Sequence, residues 1–172
     1  MAPRRPVVAV CGGNTASEPL LAEAEALGRA LVDAGYRLAT GGRGGVMEAA
    51  SRGARLADGW EEGRIVGVLP SLDPSDANPW VDVALPTGMN HARNVILVAM
   101  ADVVVAVGGG AGTLSEMALA WTHGKPVIAL DVGAGWSGRL AGASLDDRRP
   151  DAILRAATAA EAASLARSLV CR

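Results

Sequence analysis

The stretch Val103-Val104-Val105-Ala106-Val107-Gly108-Gly109-Gly110-Ala111-Gly112-Thr113-Leu114-Ser115-Glu116 decides the fold. Its first five residues are apolar and mostly β-branched, the composition of a strand buried on both faces of a parallel sheet. A glycine turn follows. Then Leu114, Met117, Ala118 and Trp121 recur at helical spacing on one face. A strand, a glycine turn and a helix start aim free backbone N–H groups and the positive end of a helix dipole at one spot, which favours an anion, most often a phosphate.

The same alternation runs outward in both directions. Val7–Cys11 reads as a first strand ended by Gly12-Gly13-Asn14. Thr15-Ala16-Ser17-Glu18 has the form of a capping box. It opens a helix striped by Leu20, Leu21, Ala24, Leu27, Ala30 and Leu31 and stopped at Gly35. Tyr36–Thr40 is a second strand, Gly41-Gly42-Arg43-Gly44-Gly45 its turn, and Val46–Ala57 a small-residue helix. Arg64–Leu69 is a third strand and Ser71–Pro79 a surface loop. Trp80–Leu85 is a fourth strand, and Gly88–Met100 a buried helix with Asn90 near its cap. Beyond the central unit, Gly124 ends the helix, Val127–Leu130 is a sixth strand, and residues 132–150 read as a patternless loop. A second capping box, Thr158-Ala159-Ala160-Glu161, starts the last helix. The expectation is a Rossmann-like, doubly wound parallel sheet with helices on both faces, formed by one domain over residues 1–172.

Composition narrows the function. The chain is half apolar yet only 3% aromatic, with no Phe, so its core is aliphatic and alanine-rich. A net charge of -2 with scattered basic residues argues against a nucleic-acid surface, which needs a clustered positive patch. Cys11 and Cys171 have neither metal nor disulfide spacing. The run Val7–Val10 is too short for a signal peptide, and nothing approaches the roughly 20 apolar residues of a membrane span. The expectation is a cytoplasmic protein with no membrane or nucleic-acid partner, no bound metal and no cofactor.

In a doubly wound sheet, ligands bind outside the carboxyl ends of the strands, where the winding reverses. Three strand ends carry glycine turns, Gly12-Gly13, Gly41–Gly45 and Gly108–Gly112, so six or more free N–H groups converge on one edge. Neither the dinucleotide fingerprint nor the Walker A pattern is present. A mononucleotide or another phosphorylated small molecule fits better. Two charged residues stand near that edge. Thr113-Leu114-Ser115-Glu116 has the capping-box form, which would give Glu116 a backbone N–H to accept from. Alternatively Glu116 faces a sugar hydroxyl or an attacking water, where a carboxylate orients the water or stabilises charge on a ribosyl ring. Arg93 falls in the first turn of its predicted helix, where a cation opposes the dipole. A bound anion or Glu116 would resolve that mismatch. His91 and His123 are isolated, Cys11 reads as core, and Asp102 and Asp131 read as helix caps.

Taken in order, Cys11-Gly12-Gly13, Gly41-Gly42-x-Gly44-Gly45-Val46-Met47, Val66-Gly67-Val68-Leu69-Pro70, Met89-x-x-Ala92-Arg93 and Gly109-Gly110-x-Gly112-Thr113-x-x-Glu116 resemble the Lonely Guy (LOG) family and its SLOG relatives, over residues 7 to 130. The resemblance implies hydrolysis of the N-glycosidic bond of AMP or cytokinin riboside 5′-monophosphates by a homodimer or higher homo-oligomer. It implies catalytic roles for Arg93 and Glu116, and phosphate or nucleotide contacts from Gly12, Gly13, Asn14, Gly42, Gly44, Gly45, Met89, Gly109, Gly110, Gly112 and Thr113. Gly108 replaces a motif proline, Asn94 a lysine, Ala92 a glutamate, and Gly13 and Asn14 the usual serines. Those departures resemble the branch of molybdenum-cofactor carriers, which implies the alternative of a non-catalytic carrier or sensor of a phosphorylated ligand. Many relatives carry the label of lysine decarboxylase. That chemistry needs a Schiff-base lysine, and the only lysine, Lys125, precedes a strand at the edge opposite the glycine turns.

Overall fold

The structure, a computed structural model, describes residues 4–170; Cys171 lies outside them. Seven parallel strands form one sheet: β1 (Val7–Gly12), β2 (Arg37–Thr40), β3 (Ile65–Leu69), β4 (Val83–Pro86), β5 (Val103–Val107), β6 (Val127–Leu130) and β7 (Leu154–Ala156). Their order is β4-β3-β2-β1-β5-β6-β7. The chain winds outward from β1 to β4, then returns to lay β5 on the other side of β1, with Val8 opposite Val103 and Gly12 opposite Val107. The winding therefore reverses between β1 and β5, the two strands ended by Gly12-Gly13 and Gly108-Gly109-Gly110.

Six helices cover the faces: α1 (Glu18–Asp33), α2 (Val46–Arg55), α3 (Asn94–Met100), α4 (Ala111–Thr122), α5 (Trp136–Leu140) and α6 (Ala159–Val170). The two-residue period of the strands sorts the core. Val8, Val10, Val103, Val105 and Val107 pack under α1, α2 and α6. Ala9, Cys11, Val104 and Ala106 pack under α3 and α4, with Leu97, Met117 and Trp121. Every residue of β5 is fully buried. A continuously apolar strand can satisfy this requirement and an alternating one cannot.

The doubly wound parallel fold is as expected, and several local expectations are corrected. The Thr15–Glu18 box does not form. Ser17 is the N-cap of α1 without a side-chain bond, and Leu20, three residues on, has no carboxylate to return. Trp80–Leu85 contributes a strand only from Val83, and that strand runs on to Pro86; before it the Asp82 carboxylate accepts from the Ile65 N–H and the Trp60 indole. Residues 132–150 contain α5, and β7 is a seventh strand that the sequence did not announce; its three residues pair with Ile128–Leu130. The Thr158–Glu161 box holds in a shifted form: the Thr158 hydroxyl accepts from the Glu161 N–H, and Glu161 accepts from the N–H of Ala157. Asp102 and Asp131 cap no helix. Asp102 accepts from the Val7 N–H, and Asp131 pairs with Arg155. Lys125 donates to the Ala101 carbonyl at the edge away from the glycine turns, which leaves no Schiff-base lysine there. Among the described residues no helix is long and apolar enough to cross a membrane, and no three potential metal ligands cluster.

Candidate ligand-binding site

A cavity of about 430 Å³ opens at the carboxyl edge of the sheet, over the reversal point. That volume lies within the usual range for small-molecule sites. Of the residues expected there, Gly12, Gly13, Asn14, Arg93, Gly110, Gly112, Thr113 and Glu116 line it. Gly42, Gly44, Gly45, Met89 and Gly109 do not. Arg43, Met47, Pro70, Ser71, Asn90, His91 and Asn94 line it as well, and none of these was picked out as a contact from the sequence.

The glycines that miss the cavity shape it from behind. Gly45 has φ 63° and ψ −128°, a backbone state open essentially to glycine. A Cβ there would overlap the Gly13 carbonyl, so the first and second turns touch through Gly45. The Val46 N–H donates to that same Gly13 carbonyl at 3.0 Å. Gly41 plays a related part, because a Cβ would overlap the Arg93 guanidinium lying against it. Helix α4 begins at Ala111 with Gly110 as N-cap, so its first N–H groups lack intrahelical acceptors and face the cavity edge.

Two expectations about the charged pair change here. Glu116 sits in the second turn of α4, not at its start, so the Thr113–Glu116 capping box is absent. Glu116 instead accepts from Arg93, Nη1 to Oε1 at 3.1 Å, and from the Cys11 thiol. Residues 88–100 do not form one helix: a 3-10 turn, Asn90–Arg93, leads into α3, and Asn90 takes φ 49°, a conformation asparagine tolerates. The N–H of Asn90 donates to the Pro70 carbonyl at 3.0 Å, which ties this turn to the end of β3. Arg93 thereby points inward and is only 8% exposed, with Glu116 at 5%. The cation near a helix start, an unfavourable position by dipole alone, is matched by a buried carboxylate.

Burial pushes the Glu116 carboxyl above its ordinary range, against the opposing pull of the Arg93 charge and of hydrogen bonds from Cys11 and Arg93. Burial also raises the Cys11 thiol, and the neighbouring Glu116 charge raises it further. The thiol is thus held protonated as a donor, which fits a core role rather than that of a nucleophile. Two buried polar atoms, Arg93 Nε and Asn94 Oδ1, have no partner among the described residues. Arg43 and His91 stand exposed at the cavity wall.

Known proteins resemble the chain over this whole frame. The molybdenum cofactor binding protein from Rippkaea orientalis superimposes with a TM-score of 0.83 at 37% identity, over 97% of this chain and 98% of that one. For the molybdenum cofactor carrier protein from Chlamydomonas reinhardtii the TM-score is 0.81 at 33% identity, over 98% and 100%. The cytokinin riboside 5′-monophosphate phosphoribohydrolase of Mycobacterium tuberculosis is 30% identical over 132 residues, 73% of this chain and 70% of that protein. The family model that matches residues 5–163 places the chain by sequence: it belongs to the SLOG cluster4 family.

Proposed function

We propose that this chain binds a phosphorylated small molecule in the cavity, with the phosphate against the turns at Gly12-Gly13 and Gly110–Thr113, and that it carries a pterin phosphate, the molybdenum cofactor. The observation that carries the reading is the wall itself. Backbone amides at the start of α4 meet a buried pair, Arg93 and Glu116, that neutralise one another, with Arg43 as an exposed cation on the same wall. Such a site holds an anion by its N–H groups without committing a free base to chemistry. The near full-length likeness to two molybdenum-cofactor-binding proteins supports the pterin over a nucleotide. Arg93 and Asn94, which both line the cavity, each keep one buried polar atom without a partner among the described residues, Arg93 Nε and Asn94 Oδ1. We read the chain further as a homodimer, which the exposed apolar side chains Val83, Leu85, Met89 and Val95 support, and as a cytoplasmic protein.

One observation favours a second reading. Arg93 and Glu116 both line the cavity, and a phosphoribohydrolase is among the relatives, so cleavage of a nucleoside monophosphate is the competing function. There Glu116 would assist departure of the base from the ribosyl ring and Arg93 would hold it in place. One experiment separates them. The chain is purified from a host that makes molybdenum cofactor, and bound pterin is measured by fluorescence after oxidation. In parallel, AMP is incubated with parent and Glu116→Gln protein, and free adenine is followed by chromatography. Near-stoichiometric pterin without adenine is the expected result. Adenine released by the parent and not by the variant would replace the carrier reading with the hydrolase.

A further inference from the structure

Helix α5 lies beyond the stretch that resembles the LOG family and touches none of the cavity, yet it grips the central glycine turn from behind. The Ser137 N–H donates to the Gly108 carbonyl at 3.1 Å, and the Trp136 N–H to the Gly109 carbonyl at 3.1 Å. The Ser137 hydroxyl accepts from the Gly108 N–H at 2.7 Å. It donates in turn to the carbonyl of Leu130, the last residue of β6, at 2.7 Å. Ser137 is 1% exposed, so this hydroxyl is committed on both sides and closed to water.

These bonds fix a direction. In a trans peptide the C=O of one residue and the N–H of the next point opposite ways. With the carbonyls of Gly108 and Gly109 turned toward α5, the amides of Gly109 and Gly110 must face away from it. Gly108 and Gly109 have φ of 57° and 85°, so the turn has glycine freedom and could flip its peptide planes unless held. We infer that Ser137 is a positioning residue for anion binding. Its hydroxyl and N–H, with the N–H of Trp136, hold the 108–110 turn so that the amide of Gly110, which lines the cavity, faces a ligand phosphate. The inference rests on the reading that the glycine turns hold a phosphate.

The test uses the intact chain with inorganic phosphate, AMP and adenosine as probes, followed by calorimetry. Ser137→Ala should bind phosphate and AMP about tenfold more weakly than the parent, the effect of one lost hydrogen bond in a buried site, with adenosine unchanged. Ser137→Thr, which keeps the hydroxyl, should recover most of the loss. A general structural defect would weaken all three probes together. Phosphate binding by the parent that Ser137→Ala matches would overturn the role of Ser137 and leave the phosphate site standing. No binding of phosphate or AMP by the parent would remove both. If Ser137→Ala fails to fold, NMR of the parent supplies the answer: phosphate should shift the Gly110 amide resonance, and an unmoved resonance at saturation would overturn the inference.

Discussion

Replacing Arg93 by Leu tests whether the cavity floor is a compensated ion pair. The substitution keeps an apolar stem of similar reach and removes the cation that faces Glu116 at 3.1 Å. Glu116 would then be a buried carboxylate whose remaining donor is the Cys11 thiol. Breaking a buried pair from one side costs about 3–5 kcal/mol. At about 2–4 °C per kcal/mol for a chain of this size, the Tm should fall by about 6–20 °C at pH 7. The pH dependence has a definite sign. Burial already holds the Glu116 carboxyl above its unfolded value near 4.3, so the folded chain binds that proton more tightly than the unfolded one. This contribution is fully present below the unfolded pKa and is lost as pH rises through the folded one. Removing Arg93 removes the strongest downward pull, so the deficit of the variant should widen from about pH 4 towards pH 7 and nearly close below that range. Adding Glu116→Leu to Arg93→Leu should restore most of the loss, since no buried charge is then left over. Thermal unfolding followed by circular dichroism between pH 4 and 8 measures all of this. A pH-independent drop of only a degree or two, or a double variant no better than the single one, would refute the reasoning.

Three further substitutions probe the wall and the outer surface. Arg43→Gln removes an exposed cation at the cavity; it should weaken phosphate binding severalfold at low ionic strength and little at high salt, where screening already hides the charge, and calorimetry at two salt concentrations measures it. Gly45→Ala forces a side chain into a glycine-only conformation and into the Gly13 carbonyl. A cost of at least about 1–3 kcal/mol is expected, together with loss of phosphate binding, because the first and second turns separate. Val95 is 44% exposed on α3; Val95→Glu should convert a dimer to monomer in light scattering without changing the circular dichroism spectrum, and an unchanged mass would refute the role of that face.

Much of the architecture is legible in the chain because its signals are local. A five-residue apolar strand must be covered on both faces, and that alone points to a parallel sheet with helices on either side. Glycine turns at the ends of three strands then locate the edge where the cavity opens, since topology puts all carboxyl ends of parallel strands together. The short elements escaped for the same reason. Helix α5 spans five residues and β7 three, too few for a period to show, and both exist because β6 and the 108–110 turn lie ready to receive them.

The site is where tertiary structure decided what the sequence left open. By spacing alone Glu116 suits a capping box or a substrate, and Arg93 suits a bound anion or Glu116. Folding joined these residues, 23 positions apart, into one buried pair, because α4 starts at Ala111 and the turn at Asn90 directs Arg93 inward past Gly41. Ser137 gave no motif at all. Its part depends on lying beside Gly108, 29 residues away, and a hydrogen bond across that separation is written only in the packing of α5 against the turn. The sequence by itself determined the layers, the parallel winding and the edge where the cavity opens, since those follow from hydrophobic periods and chain-local glycine. The tertiary structure alone decided which charges meet and which way the amides face, since both are set by contacts between segments distant in the chain.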